Sequence, residues 1–477
     1  MIPRVLLLTV VLCVAPTAPS RSDDVPEKGN PSERGGVIGD WPLDTVSTKN
    51  GRQYHGYIQS TSDEEIDFVE VVRPPQRDMY LVVRPIRLSE VASLRRLPDQ
   101  EQRVLAERIE RFRHRFHIEA GALEAVELNQ FPEDGGNRFL YQGDWFTLRS
   151  TSDEETTRYA VVRIEQIFRA YRHVMPPRVK PKQQLTIQLY GTISEYQKYL
   201  TDKQLGIDHP AFYSAASNLI VAGANVAVFS EDLRKIRESI QLQRQQLAER
   251  HANFLQQQKQ YAAQLEQIGL KPDEVNVELI VRKKAWENEF QSHSRKLNDA
   301  ERRNEAKFAE VKRQLFARLA HEAFHAYVEN FLYPQRDYQF PRWLNEGMAQ
   351  VFETGRLDGE TLRIDAPDRE LLKSLQMDLA MAPLPLAELL AADDVLFLAS
   401  HASSTGSQRR YLYSWGLAWH LFTNHRIAHQ ETFDDFVAKG AEGNDPIIRF
   451  ERFVKAPVPV FEHEWRKAML AEASPPP

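Results

Sequence analysis

The sequence predicts a mixed α+β protein: a small β module, then alternating strands and helices, then a mostly helical remainder. Three observations carry this. Short β-rich runs separated by turn residues fill the stretch from Trp41 to Arg95. Strand and helix patterns alternate between residues 144 and 229. Two long helix-forming runs meet at Gly269-Leu270-Lys271-Pro272 and read as a long antiparallel helical hairpin. With 42% hydrophobic and 27% charged residues, the 477-residue chain is neither wholly disordered, nor collagen, nor a multi-span membrane protein. Its 61 basic and 67 acidic residues give no global positive field, so no nucleic-acid partner is expected.

Taken in order, residues 1–20 read as a signal peptide: Arg4, an apolar run from Val5 to Ala15, then Ala18 and Ser20 at positions suited to cleavage. The run is about eleven residues, too short for a bilayer-spanning helix of ~20. Export to a periplasmic or extracellular compartment is expected, with no membrane span after cleavage; an uncleaved N-terminal anchor is the alternative. The single cysteine, Cys13, lies in this segment. A disulfide framework, a cysteine zinc finger and an iron–sulfur cluster are thereby excluded. Residues 21–39, polar and rich in Pro and Gly, form a linker.

The β module covers 40–95, with strands expected at 54–59, 65–72 and 79–86 and turns at Lys49-Asn50-Gly51 and Pro74-Pro75. Its size and pattern fit a small SH3-like barrel. A helical linker follows over 96–135, with Val104, Leu105, Ile109, Phe112 and Phe116 at helical steps. The main domain spans 140–475. It opens on a strand at 145–148, and Ser152 with Glu155 reads as a capping box starting a helix to about Val174. A strand at 184–190, a helix at 193–202 and a strand pair around Gly223 (218–229) complete the α+β part. The hairpin insertion is placed at 231–316, each arm ~60 Å long at 1.5 Å per residue. It is either a solvated coiled-coil spacer or an arm for a protein partner. Further helices are expected at 369–380, 386–392, 411–424, 432–438 and 461–471.

The return arm of the hairpin runs into His321-Glu322-Ala323-Phe324-His325. On a helix, His321 and His325 share one face and can hold one metal ion, while Glu322 is placed to act on water as a general base. A hydrolytic zinc site needs a third protein ligand. The residues after His325 supply no third histidine, which argues against a metzincin. Glu346, in the string Pro341-Arg342-Trp343-Leu344-Asn345-Glu346-Gly347, opens a second helix and offers a carboxylate from the neighbouring element.

With these residues the sequence resembles the gluzincin zinc metallopeptidases of the peptidase-MA-like superfamily, closest to exported bacterial members. The resemblance implies a zincin-like domain holding one Zn2+ per chain through His321, His325 and Glu346, with Glu322 as base. It also implies that Glu353 supports the first histidine. A Tyr-x-Ser-Trp-like segment at Tyr411-Leu412-Tyr413-Ser414-Trp415 makes Tyr413 the candidate oxyanion donor, with Tyr411 and His401 behind it. The expected function is hydrolysis of a peptide or protein substrate, with an extended substrate pairing along 218–228. The long hairpin between edge strand and zinc helix departs from the family pattern. The alternative is an envelope interaction or scaffold protein that uses the β module and hairpin and carries a non-catalytic metal site. No phosphate-binding loop or Gly-x-Ser-x-Gly elbow is present.

Overall fold

A computed structural model of the chain describes residues 41–472, apart from 75–76, 131–137, 208, 359–360, 365, 393–396, 398–404, 425–431 and 439–444. The expected signal peptide and linker, Cys13 and His401 lie outside the described residues. The protein is a mixed α+β chain with an N-terminal antiparallel sheet. Among the described residues no helix is long and apolar enough to cross a membrane.

Five strands build the N-terminal sheet: β1 (Asp44–Thr48), β2 (Gln53–Thr61), β3 (Glu65–Val72), β4 (Tyr80–Arg87) and β5 (Val91–Arg95). They run antiparallel in the order β4-β3-β2-β1-β5. Val46, Ile58, Ile66, Phe68 and Ile86 fill one small core. On the other side Val69, Val71 and Met79 pack against Leu105, Ile109 and Phe112 of α1 (Asp99–Arg113). The stretch expected to be a linker therefore begins as part of the β module, because its apolar helix face completes that core. Asp44 is fully buried at the centre, where its carboxylate accepts the backbone N–H groups of Ile58 and Leu97, both at 2.8 Å, and the side-chain amide of Gln102.

After α2 (Arg115–Ala125), a six-stranded sheet is built from β6 (Asn129–Gln130), β7 (Phe139–Gln142), β8 (Phe146–Ser150), β9 (Leu185–Tyr190), β10 (Ala211–Ser214) and β11 (Leu219–Gly223). Its order is β10-β11-β9-β8-β7-β6, parallel at β8–β9 and β9–β11 and antiparallel elsewhere. Between β8 and β9 lies α3 (Glu154–Val174), and between β9 and β10 lies α4 (Ile193–Asp202). The cap of α3 is Asp153, which accepts from Thr156 N–H at 2.8 Å; the expected cap, Ser152, is one residue early and buried. The capping box sits instead at α4, between Thr192 and Glu195.

The strand expected after Gly223 is absent. Val226 begins α5 (Val226–Gln267), its side chain buried in the main core, so packing overrides the β-rich Val-Ala-Val-Phe sequence. The turn after α5 contains Gly269 at φ +91°, a left-handed conformation that suits glycine. The chain then returns as α6 (Pro272–Tyr327). The two helices, 42 and 56 residues, are ~63 and ~84 Å long. Leu233, Ile240, Leu247 and Phe254, at steps of seven, form the buried seam of an antiparallel coiled coil. Ion pairs Arg237–Glu305 (3.1 Å) and Arg250–Glu289 (3.0 Å) cross it. Helix α6 runs unbroken past residue 316, the bound set for the insertion, through His321 and His325, because Leu315, Phe316 and Leu319 carry its apolar face into the core.

A π turn (Val328–Leu332) leads to α7 (Arg342–Thr354), a two-stranded β12–β13 hairpin (Arg356–Asp358, Thr361–Arg363), α8 (Arg369–Met381) and α9 (Leu386–Leu390). Then follow α10 (Thr405–Asn424), α11 (Thr432–Val437), α12 (Pro446–Val454) and α13 (Val458–Ala471). The helix expected from 411 already begins at Thr405. Arg363 donates to the backbone carbonyls of Pro74 and Arg77, which joins the β12–β13 hairpin to the N-terminal module.

Asp44→Ala removes the acceptor of two buried backbone N–H groups, so it should lower stability by about 2–4 kcal/mol. Urea unfolding of the full chain, followed by far-UV circular dichroism, measures this. An unchanged midpoint would mean that water satisfies these groups.

Candidate metal centre and cleft

Two helices and a strand bring the chemistry together. The last turns of α6 bury Ala320, Ala323 and Phe324 and turn His321, Glu322 and His325 toward a cleft of about 740 Å³. The hydroxyls of Tyr171 and Tyr327 tie α3 to α6, donating to Ala320 O and Met175 O at 2.6 Å each. Helix α7 starts behind Pro341 and presents Glu346 from the side opposite α6. Its next residue, Gly347, faces α10 so closely that a Cβ would lie 2.2 Å from the Ser414 carbonyl oxygen. The glycine in the Trp-Leu-Asn-Glu-Gly string is thus a packing requirement that sets how far Glu346 reaches across.

His321, His325 and Glu346 form a possible metal-binding triad, with one ligand atom of each within 4.8 Å of the others. The Nε2 atoms of His321 and His325 stand 3.5 and 3.6 Å from the two carboxylate oxygens of Glu346. Their Nδ1 atoms are used elsewhere: His321 Nδ1 lies 2.9 Å from Glu353 Oε2, and His325 Nδ1 lies 3.0 Å from Asn345 Oδ1. Both partners are acceptors, so each Nδ1 carries the proton and each Nε2 faces the centre. Two imidazole nitrogens and a carboxylate are a donor set that fits a divalent transition metal. Glu322 is not part of this triad. It lines the cleft beside it and accepts the backbone N–H of Tyr213 in β10.

The electrostatics are those of crowded, buried groups. Burial, with Glu346 and Glu353 close by, raises the carboxyl of Glu322 to about 7, against the pull of His321 and the Tyr213 N–H. Burial holds His325 down at about 4. Burial also acts to lower His321, but the Glu346 and Glu353 carboxylates outweigh it and keep its pKa well above the ordinary value. Burial would raise Glu346, yet His325, His321 and Arg342 hold it far below the carboxylate range. Arg342 makes a 2.9 Å ion pair with Glu346 Oε1 from one turn earlier on α7.

Tyr413 is not in the cleft. Fully buried, it donates to Asp378 Oδ2 at 2.7 Å and accepts from Leu384 N–H at 3.0 Å. Helical periodicity explains the correction: two residues apart on α10 means opposite faces, and Tyr411 is the one that lines the cleft. Tyr411 hydrogen-bonds Arg342, and burial, with Glu346 nearby, raises its pKa. The stretch expected to pair with substrate is also corrected. β11 is paired on both sides, by β9 and β10, and among the described residues the free edge beside the cleft is β10. Asn345 and Arg342 escaped the sequence reading, although one adjoins Glu346 and the other stands four residues before it.

Residues 315–442 match a family described as a protein of unknown function (DUF1570). The matched stretch begins six residues before His321 and holds His325, Glu346, Glu353 and Tyr411. No curated protein matches the sequence.

Gly347→Ala should push α7 from α10, costing about 1–3 kcal/mol and weakening metal binding about tenfold or more. Thermal melting and a chelator-competition titration read the two effects. Unchanged affinity would mean that Glu346 does not depend on the helix contact. Metal uptake at pH 7 should release protons, chiefly from His321, whose pKa the neighbouring carboxylates hold above the ordinary value. His325 and Glu346 have none to give, and below about pH 4 affinity should collapse as His325 protonates. Calorimetry in buffers of different ionisation enthalpy counts the protons. No release would contradict the charge assignment.

Proposed function

We propose that the protein is an exported zinc-dependent peptidase of gluzincin type. The observation that carries this is the convergence of His321 Nε2, His325 Nε2 and Glu346 on one point in a cleft, with Glu322 beside it and not among the ligands. A site that only held metal would have no use for a buried carboxylate with its pKa at about 7 next to the ligands. Two fold readings support the proposal. The strand order β4-β3-β2-β1-β5 fits an SH3-like accessory module. A mixed sheet with a free edge strand beside a two-histidine helix fits a zincin-like domain. The export reading rests on the sequence before residue 21.

Bound zinc would supply a Lewis acid that polarises a peptide carbonyl and makes water acidic. His321, His325 and Glu346 would hold it, with Glu353 and Asn345 fixing the imidazole rings. Glu322 takes a proton from the attacking water at its carboxylate and delivers it to the leaving nitrogen. Arg342 bonds the Tyr411 oxygen and leaves the phenolic proton free to meet the developing oxyanion, the role first expected of Tyr413. The free edge of β10 pairs with the substrate backbone.

A rival reading, an interaction protein with a non-catalytic metal site, draws on the exposed Ile268, Val277, Ile280 and Val281 near the tip of the hairpin. The two separate on one experiment. Wild-type and Glu322→Gln proteins should each hold one zinc, while only the wild type cleaves a peptide library, with a loss of about 10²–10⁴-fold or more in the variant. Tyr411→Phe should cost about 10²–10³ in kcat with little change in zinc content. Bound zinc without cleavage by the wild type would favour the rival, and no bound zinc in either protein would end the proposal.

A further inference from the structure

Two arginines, Arg318 and Arg342, line the cleft among the described residues, and they differ in their partners. Arg318 lines it from the exposed side of α6, one turn before His321, and its guanidinium meets no carboxylate among the described residues. Arg342, by contrast, is engaged with Glu346. Just past the opposite end of α6, in the π turn, the cleft is lined by Glu329, eleven residues on and about 16 Å away along the axis. The cleft thus has an arginine near one end of its α6 wall and a glutamate, which also accepts the Gln335 N–H, at the other.

The direction of β10 turns this polarity into a prediction about substrate. The turn between β10 and β11 lies at the far end of α6, where Asn330 Nδ2 donates to Asn218 Oδ1 at 2.8 Å. The other end of β11 leads through Val226 into α5, which pairs with the earlier part of α6. Ala211, opposite Ala222 on β11, therefore lies toward Arg318, and the strand runs from the Arg318 end to the Asn330 end. A peptide added to the free edge in the more stable antiparallel sense runs the other way. It enters past Glu329, crosses the metal centre and leaves past Arg318.

We propose that Arg318 is a specificity residue that binds a carboxylate on the substrate, C-terminal to the scissile bond. The carboxylate belongs either to an acidic side chain or to the C-terminus of a short peptide. This rests on the peptidase reading for the cleavage it directs, but not for the binding it predicts. An unpaired guanidinium at the rim is free to form a charge-assisted bond with a planar carboxylate, and it costs no existing ion pair to do so.

The test uses zinc-loaded Glu322→Gln protein, which holds peptides without cutting them, and Ala-rich dodecapeptides carrying one Glu, Gln or Lys in their last third. Fluorescence anisotropy should show the Glu peptide bound about threefold or more tighter than the Lys peptide. The double variant Arg318→Glu, Glu322→Gln should reverse that order at unchanged zinc content. Moving the charge to the first third should remove the preference for Glu. A matched set with amidated C-termini separates the two sources: loss of affinity on amidation assigns the terminal carboxylate, and its retention assigns the side chain. Equal binding of Glu and Lys peptides that is also unchanged by amidation, no binding of any, or a preference that survives Arg318→Glu overturns the assignment. Charge-selective binding without any cleavage by the wild type leaves Arg318 in its role and removes the peptidase reading instead.

Discussion

A carboxylate buried as deeply as that of Glu346 is untenable in a protein interior without positive charge around it. Much of the arrangement near the cleft answers that demand. Arg342 meets one oxygen from within the same helix, and His321 and His325 face both oxygens across the cleft. The histidines in turn need their outer nitrogens bound, which Glu353 and Asn345 do from the turns of α7 flanking Glu346. One short helix therefore supplies the carboxylate, its arginine and both imidazole partners. The spacing of 342, 345, 346 and 353 is the spacing of one helix face.

Such a helix is useful only if its distance from α6 is fixed. On one side α6 is stitched to α3 through the buried hydroxyls of Tyr171 and Tyr327, which bond backbone carbonyls and not other side chains. On the other side α7 lies against α10 without the thickness of even a methyl group at Gly347. Trp343 on α7 and Trp415 on α10, near that contact in sequence, are both fully buried in the same core.

Much of this was legible in the sequence where the signal is local. The two histidines four apart, the glutamate between them and the Trp-Leu-Asn-Glu-Gly string marked the triad, and seven-residue periodicity marked the hairpin. What escaped was set by tertiary contact. Nothing local distinguishes Tyr411 from Tyr413, because both suit a helix start and only the neighbours Asp378 and Leu384 decide which one is buried. The Val-Ala-Val-Phe run after Asn225 has the composition of a strand, and it becomes helix because Val226 is packed beneath the sheet. The free edge passed from β11 to β10 for a similar reason. Which strand lies outermost depends on sheet order, which a single strand's sequence does not encode.

The continuity of α6 has a consequence for how this protein can vary. With no loop between the coiled coil and His321, the hairpin is phased to the face of the same helix that carries His321 and His325. One residue gained or lost in the return arm turns everything beyond it by about 100° and slides it ~1.5 Å. The seam residues Leu233, Ile240, Leu247 and Phe254 would then face solvent unless α5 changed to match. Length can therefore drift only in whole heptads, added to both arms at once. The hairpin behaves less like an inserted cassette than like a geared extension, able to grow or shorten by whole teeth.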